Sequence, residues 1–144
     1  MTNIDHPIVL FVDDDETDLL LVGRIAKKLG FDNRIRTVDD PDDALALLSR
    51  LPSRFGTPPA VLVTDINMPS MSGHELIDKI RSADQLCNLP IFVLSTSDLQ
   101  SDFERAYRSK VAGYIVKDTS GQRMSECVAM IMHYSRAVEF PASH

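Results

Sequence analysis

The sequence lacks the features of a secreted or membrane-bound protein. Its first residues, Met1 to His6, have neither the basic start nor the apolar core of a signal peptide. No apolar run is long enough to cross a bilayer. Lysine and arginine form no cluster and the net charge is −6, which argues against a nucleic-acid surface. We therefore expect a cytoplasmic protein that binds neither nucleic acid nor membrane directly.

Cysteine and histidine are scarce and scattered. Cys87 and Cys127 do not have the spacing of metal ligands, so we expect two free thiols. The histidines, His74 among them, lie far apart in the chain and are expected at the surface. Internal repeats, low-complexity segments and domain linkers are also missing. The 144 residues therefore predict a single domain over 1–144, with a core over about 7–138 and no output domain after it.

Short apolar runs alternate with amphipathic segments along almost the whole chain. This alternation predicts an α/β fold with a parallel sheet, helices on both faces and right-handed crossovers. The second run alternates polar and apolar residues, which is typical of an edge strand. We therefore predict a doubly wound, flavodoxin-like fold of five strands in the order 2-1-3-4-5 and five helices. The predicted strands are 8–12, 34–38, 61–64, 91–94 and 114–116, and the predicted helices cover about 16–29, 41–51, 73–80, 99–109 and 120–138.

Two of these helices begin with residues at capping-box spacing, Ser72 with Glu75 and Thr119 with Gln122. The apolar residues of the last two helices recur at helical spacing and predict their inner faces. These residues are Leu99, Phe103, Ala106 and Tyr107 in the fourth helix, and Met124, Cys127, Val128, Ile131, Ser135 and Val138 in the fifth.

Polar residues stand at the carboxyl ends of four of these strands. Asp13 and Asp14 follow the first strand, Asp65 the third, Ser95 the fourth and Lys117 the fifth. In open α/β sheets that edge is where ligands bind, and the predicted order places the switch point between the first and third strands. The sequence therefore predicts that carboxylates, a hydroxyl and an ammonium group meet in one crevice.

This set of groups indicates phosphoryl chemistry. Three neighbouring carboxylates repel one another unless a cation neutralises them, and oxygen ligands without histidine or cysteine favour Mg²⁺. The Lys117 ammonium and the Ser95 hydroxyl suit the oxygens of an anion. A carboxylate can itself accept a phosphoryl group as an acyl phosphate.

Each of these residues also has a simpler interpretation when it is taken alone. Asp13 to Asp15 could cap the first helix, and Asp65 could begin an Asx turn. Lys117 could be a solvated strand end. An EF-hand is also conceivable from Asp13, Asp15 and Thr17, but Asp18 stands where that loop needs glycine. These interpretations do not explain why four strands place polar groups at the same edge.

The motifs resemble those of response-regulator receiver domains of the chemotaxis type over nearly the full chain. The matching segments are Val12-Asp13-Asp14, Asp65-Ile-Asn-Met-Pro69 with Met71 and Gly73, Leu94-Ser95, and Gly113-Tyr-Ile-Val-Lys117. The resemblance implies that Asp65 is the phosphoacceptor, with Lys117 and Ser95 acting on the phosphoryl group. It implies Mg²⁺ ligands in Asp14, Asp65 and the backbone carbonyl of Asn67, with Asp13 contributing indirectly. Ser95 and Tyr114 would be the switch pair.

Two positions depart from the family pattern. Ser95 stands where threonine is common, and it keeps the hydroxyl donor. Asp118 stands where the family usually has a proline after a cis bond. A cis bond before a residue other than proline costs about 2.5–4 kcal/mol, so we do not expect one here. The Leu-Ser-Thr-Ser stretch and Val138-Glu-Phe-Pro141 resemble single-domain regulators associated with phytochrome kinases.

The resemblance implies a regulatory phosphoacceptor and not a turnover enzyme, with only self-catalysed phosphoryl transfer and slow autodephosphorylation. The expected partners are a sensor histidine kinase or His-phosphotransfer protein and a separate downstream effector, and a homodimer is left open. Within this class, a phosphorelay carrier is the alternative. A Mg²⁺-dependent phosphohydrolase and a degenerate, phosphate-independent interaction module are the rivals from other classes.

Overall fold

The computed structural model describes residues 7–52, 56–118 and 120–141. Strands and helices alternate along the described chain, with one short 3₁₀ turn at Asp32–Arg34 before the second strand. The predicted order of elements is confirmed. The strands are β1 Ile8–Val12, β2 Ile35–Val38, β3 Ala60–Thr64, β4 Ile91–Ser95 and β5 Gly113–Val116, and the helices are α1 Glu16–Lys28, α2 Pro41–Arg50, α3 Gly73–Ser82, α4 Gln100–Arg108 and α5 Gln122–Ala137.

The five strands form one parallel sheet in the order β2-β1-β3-β4-β5, as predicted. Strands β1, β3 and β4 are nearly continuous apolar runs because both faces of a central parallel strand are covered by helices. Strand β2 lies at the edge, and its two middle residues are exposed. The alternating sequence of the second run therefore identified the edge strand correctly.

Two apolar clusters, one on each face of the sheet, form the core. One contains buried residues of α2, α3 and α4, including Ala44, Leu76 and Ala106. The other contains buried residues of α1 and α5, including Val22 and Ile131. Side chains that alternate along each strand supply both clusters. This two-sided burial fixes the strand register, and so it fixes which residues emerge at the carboxyl edge.

Local sequence signals set the ends of several helices. Asp15 caps α1 by accepting hydrogen bonds from the N–H groups of Thr17 at 2.9 Å and Asp18 at 3.4 Å. Gly30, beyond the end of α1, has φ of 82°, a conformation that favours glycine. The predicted cap of α3 is present, because Ser72 Oγ accepts from the Glu75 N–H at 3.1 Å.

The structure differs from the predictions in α4 and at the start of α5. The helical spacing of Leu99 and Tyr107 predicted a buried face, yet these side chains are 60% and 53% exposed. Helix α5 begins at Gln122 after Gly121. The other half of the predicted capping pair, Thr119, lies outside the described residues. No helix in the described part of the chain is both long and apolar enough to cross a membrane.

Candidate functional site

The ends of β1 and β3 hold three carboxylates together. The Asp65 N–H donates a hydrogen bond to Val12 O at 3.1 Å. Val12 is the last residue of β1 and directly precedes Asp13, so Asp65 lies beside the start of the acidic pair. Asp13, Asp14 and Asp65 each offer an oxygen, and these atoms lie within 4.8 Å of one another. Asp13 and Asp65 are buried, whereas Asp14 is exposed to solvent. The three residues expected from the sequence therefore meet in one site.

Lys117 projects into this acidic group from the end of β5. Its backbone N–H donates to Ser95 O at 2.8 Å, which continues the pairing of β5 with β4. Its Nζ lies 2.5 Å from Asp13 Oδ2 and 3.3 Å from Asp65 Oδ2. The side chain is only 8% exposed. Lys117 is thus a buried cation in direct contact with the carboxylates and not a solvated strand end.

Asp18 also belongs to this site, and the sequence interpretation did not include it. Asp18 Oδ2 accepts a hydrogen bond from Lys117 Nζ at 2.8 Å. The residue stands in the first turn of α1, whose amino end opens at the same edge of the sheet. The sequence did contain a signal for Asp18. It is an acidic residue in the first turn of α1, the helix that directly follows the acidic end of the first strand.

The pKa values follow from burial and from these contacts. Burial raises the pKa of Asp13 to about 6, although hydrogen bonds from Lys117 and from the Asp15 N–H oppose this shift. Burial alone would lower the pKa of Lys117, but the hydrogen bonds to Asp13 and Asp18 and the charge of Asp65 raise it overall. At neutral pH, Lys117 is therefore a fixed positive charge and Asp13 is ionised.

Backbone groups orient the Asp65 carboxylate. Its Oδ1 accepts from the N–H groups of Ile66 at 2.6 Å and Asn67 at 3.3 Å, which leaves Oδ2 facing Lys117. Helix α3 then begins directly against this loop. The Gly73 N–H donates to Ile66 O at 2.8 Å, and a Cβ on Gly73 would lie 1.9 Å from Asp65 O. Only glycine allows so close an approach.

The two candidate switch residues stand beside this group. Ser95 is fully buried, and its Oγ accepts from the Ser97 N–H at 3.2 Å. The Tyr114 hydroxyl donates to Ser97 O at 3.0 Å, and its ring makes an edge contact with Phe103 at 4.7 Å between centroids. Burial is the largest influence on Tyr114 and raises its pKa. Ser97 therefore connects the two residues by its backbone.

One prediction for the surroundings of these residues is wrong, and one is confirmed. His74 is 6% exposed and contacts Asp102, so the prediction of a surface residue is wrong for it. The described residues contain no cis peptide bond, so the bond from Lys117 to Asp118 is trans. Asp118 instead accepts a hydrogen bond from Ser120 Oγ at 2.8 Å, which holds the pKa of its carboxyl below the usual value.

The donor set fits a hard divalent cation. The acidic group offers only oxygen ligands, which suit Mg²⁺, Ca²⁺ or Mn²⁺ better than softer metals. The EF-hand alternative does not fit, because Asp15 is engaged in capping α1. The simple capping interpretation thus holds for Asp15, whereas Asp13 faces Lys117.

Comparison with known proteins agrees with this geometry. The sequence pattern of the response regulator receiver domain matches residues 9–129. The probable methanogenesis regulatory protein FilR2 of Methanothrix harundinacea is 31% identical over 130 residues, covering 90% of this chain and 84% of that protein. Chemotaxis protein CheY-3 of Vibrio cholerae is 32% identical over 118 residues, covering 82% of this chain and 85% of that protein.

Solved structures give the same result for the fold. The phosphorylated cyanobacterial phytochrome response regulator RcpA superposes with a TM-score of 0.78 at 25% identity, covering 94% of this chain and 97% of that chain. The Mn²⁺-bound form of response regulator Rcp1 also gives a TM-score of 0.78 at 25% identity, covering 94% of this chain and 99% of that chain.

Proposed function

Because the chain belongs to the response regulator receiver domain family of two-component signalling, we propose that Asp65 is its phosphoacceptor. The observation that carries this proposal is the contact of Asp65 Oδ2 with the buried Lys117 ammonium at 3.3 Å, beside two further carboxylates. A buried carboxylate with one oxygen held by backbone N–H groups and the other facing a cation is oriented to act as a nucleophile.

In the proposed reaction, an Asp65 carboxylate oxygen forms a bond to phosphorus and the bond from phosphorus to the donor breaks. The leaving group, the imidazole of a phosphohistidine or the acetate of acetyl phosphate, keeps the electron pair. Lys117 and the Ser95 hydroxyl would contact the phosphoryl oxygens and stabilise their negative charge. The same residues would allow only slow hydrolysis of the acyl phosphate, so the protein acts as a regulator and not as a turnover enzyme.

We propose Mg²⁺ as the cation of this site. Asp14, Asp65 and the backbone carbonyl of Asn67 would hold it directly, and Asp13 would hold it indirectly. The chemistry that the cation would supply there is positive charge, against the three carboxylates and the incoming phosphoryl group. The oxygen-only donor set supports this assignment, and so does the Mn²⁺ in the related response regulator Rcp1.

Ser95 and Tyr114 are the proposed switch residues. A phosphoryl group on Asp65 would draw the Ser95 hydroxyl toward it, and Tyr114 would follow, changing the surface formed by α4, β5 and α5. This is a population shift driven by new charge-assisted hydrogen bonds. The proposed partners are a sensor histidine kinase or His-phosphotransfer protein, which donates the phosphate, and a separate effector that reads the surface. The organisation as a single domain and the cytoplasmic location stay predictions, and whether the protein forms a homodimer is left open.

The test is adduct formation with acetyl phosphate and Mg²⁺, measured by intact-protein mass spectrometry. We expect one phosphoryl adduct on the wild-type protein, none on Asp65→Ala, and none when a chelator removes the divalent cation. A folded wild-type protein that takes no adduct from acetyl phosphate or from candidate kinases would contradict the proposal. It would favour the phosphate-independent interaction module.

Two further assays separate the alternatives. Rapid phosphate exchange in both directions with a His-phosphotransfer protein would favour a phosphorelay carrier over a terminal effector. Steady-state release of product from a chromogenic phosphate ester would favour the phosphohydrolase, whereas we expect negligible release.

A further inference from the structure

His74 is a buried side chain whose polar contact lies on a neighbouring helix. It is the second residue of α3, and its side chain is 7% exposed. Its Nε2 lies 2.9 Å from Oδ1 of Asp102 in the first turn of α4. An ionised carboxylate only accepts hydrogen bonds, so Nε2 carries the proton and donates it. This hydrogen bond joins two helices on the same face of the sheet.

Asp102 also contacts the loop that follows β4. Its second oxygen, Oδ2, accepts a hydrogen bond from the Ser97 hydroxyl. The hydrogen bond from the Ser97 hydroxyl, and to a smaller extent the one from His74, holds the pKa of the Asp102 carboxyl below its usual value. Asp102 is therefore an ionised acceptor for both groups, and it fixes Ser97 relative to α3.

Ser97 is the residue that both proposed switch residues contact. Its carbonyl accepts the Tyr114 hydroxyl at 3.0 Å, and its N–H donates to Ser95 Oγ at 3.2 Å. At the other end of the connection, Gly73 immediately precedes His74 and is bonded to Ile66 in the loop after Asp65. Hydrogen bonds, with one covalent step from Gly73 to His74, thus connect the Asp65 loop to Tyr114 through Asp102 and Ser97.

We propose that His74 is a positioning residue for the switch. Through Asp102, His74 holds Ser97 in the position where the Ser97 carbonyl accepts a hydrogen bond from the Tyr114 hydroxyl. We call Tyr114 inward when this bond is made and outward when it is not, so His74 sets the ratio of inward to outward molecules. This inference rests on the proposed switch role of Ser95 and Tyr114. It adds a bias that acts before any phosphoryl group is present, because the contacts that carry it involve no phosphate.

The test uses fluorine NMR of the full chain labelled with 3-fluorotyrosine, without phosphate or divalent cation. The sequence has three tyrosines, so three resonances are expected, and the variants Tyr107→Phe and Tyr134→Phe assign them. The solvent isotope shift of the Tyr114 resonance reports how far its ring is exposed. Tyr134 is an internal control, because its ring packs on Phe92 at 5.2 Å between centroids in the other apolar cluster.

We expect His74→Leu to lower the ratio of inward to outward Tyr114 about tenfold, the effect of losing one hydrogen bond to a charged group. His74→Gln retains an amide donor and should restore most of the wild-type ratio. Arg105→Ala removes a different contact between α3 and α4, the exposed pair with Asp78 at 3.3 Å, and should leave the Tyr114 resonance unchanged.

A Tyr114 resonance that stays at its wild-type position in folded His74→Leu would overturn the proposal. So would a shift in His74→Leu that His74→Gln does not reverse, because the effect would then come from packing and not from the hydrogen bond. The Tyr134 resonance shows whether each variant is folded. The measurement does not involve Asp65 chemistry, so a failed phosphoryl adduct would count against the proposed function alone.

Discussion

At the scale of single residues, the site depends on contacts between residues that are far apart in the chain. Lys117 meets Asp13, Asp18 and Asp65, and His74 meets Asp102 across a separation of 28 residues. The strand ends predicted the meeting of Asp13, Asp65 and Lys117, because parallel strands deliver their ends to one edge. Asp18 and His74 project from helices. Helical periodicity predicts which side of a helix is buried, but it does not predict which residue of another element each side chain contacts.

Gly73 is the position where one added atom should matter most. A Cβ there would lie 1.9 Å from Asp65 O and 2.9 Å from Ile66 Cα, so the backbone must shift. We expect Gly73→Ala to lower the free energy of unfolding by about 1–3 kcal/mol, measured by urea denaturation. Because the displaced atom belongs to Asp65, the same variant should also form the phosphoryl adduct more slowly.

Gly23→Ala is the matched control for this prediction. Gly23 also lies in a helix, α1, but a Cβ there would meet nothing within 4 Å. Replacing it should raise the free energy of unfolding by about 0.5–1 kcal/mol through helix propensity. Equal stability of Gly73→Ala and the wild-type protein would show that the loop after Asp65 yields without cost.

At the scale of elements, the helices differ in how fully the sheet covers them. Within the described residues, α4 buries only Ala106, which explains why Leu99 and Tyr107 are exposed despite their helical spacing. Periodicity identifies an apolar stripe, but it does not say whether another element lies over it. For α5 the prediction was better, because Cys127, Val128 and Ile131 lie against the sheet as expected.

The side chain of Arg81, at the end of α3, bonds to the backbone of two other segments, the one before β4 and the one after α4. Its guanidinium donates to the carbonyl oxygens of Cys87, Leu89, Ser109 and Lys110 at 2.7 to 3.0 Å. We expect Arg81→Ala to lower the free energy of unfolding by about 2–4 kcal/mol, because partly buried carbonyls lose a charged donor. Chemical denaturation of the purified protein measures this change.

Arg105→Ala supplies the comparison for Arg81. Arg105 also bonds across helices, to Asp78, but both side chains are about half exposed. Solvent screens such a pair, so the change in the free energy of unfolding should stay within about 0.5 kcal/mol. An equal loss in the free energy of unfolding for the two arginine variants would contradict the prediction. It would mean that the hydrogen bonds from Arg81 to backbone carbonyls contribute no extra stability.

At the scale of the whole molecule, the strand order could be predicted because the hydrophobic patterns of central and edge strands differ. The apolar runs of β1, β3 and β4 indicated burial on both faces, and the alternation in β2 indicated an edge. The trans bond at Lys117 followed from the high energy of the cis alternative. The detailed path of the loops did not follow from pattern, since hydrogen bonds between distant segments determine it.

The two free cysteines allow global unfolding to be measured. Cys127 is buried in α5, and burial raises the pKa of its thiol to about 12, while Cys87 is only partly covered. We expect an aromatic disulfide reagent at pH 8 to label Cys87 first. Cys127 should react only as fast as the protein unfolds, because both reagent access and the thiolate fraction are low in the folded state.

A Cys87→Ser variant isolates the slow reaction for kinetic measurement. Its labelling rate should rise with added urea in step with the loss of helical circular dichroism. Labelling of Cys127 in native buffer at the rate of a free thiol would contradict this expectation, since it would require α5 to open separately from the rest of the core.

The pairing of β1 with β3 has a consequence for how the protein acquires its chemistry during folding. Ile8 pairs with Ala60, so the long segment that carries α1, β2 and α2 must be closed into a loop when these two central strands pair. Closing so long a segment makes this step slow, as is usual for non-local parallel pairing. Asp13 and Asp65 meet only when that step is finished. A nascent or partly folded chain would therefore be unreactive toward phosphodonors, and competence to signal would appear together with the completed sheet.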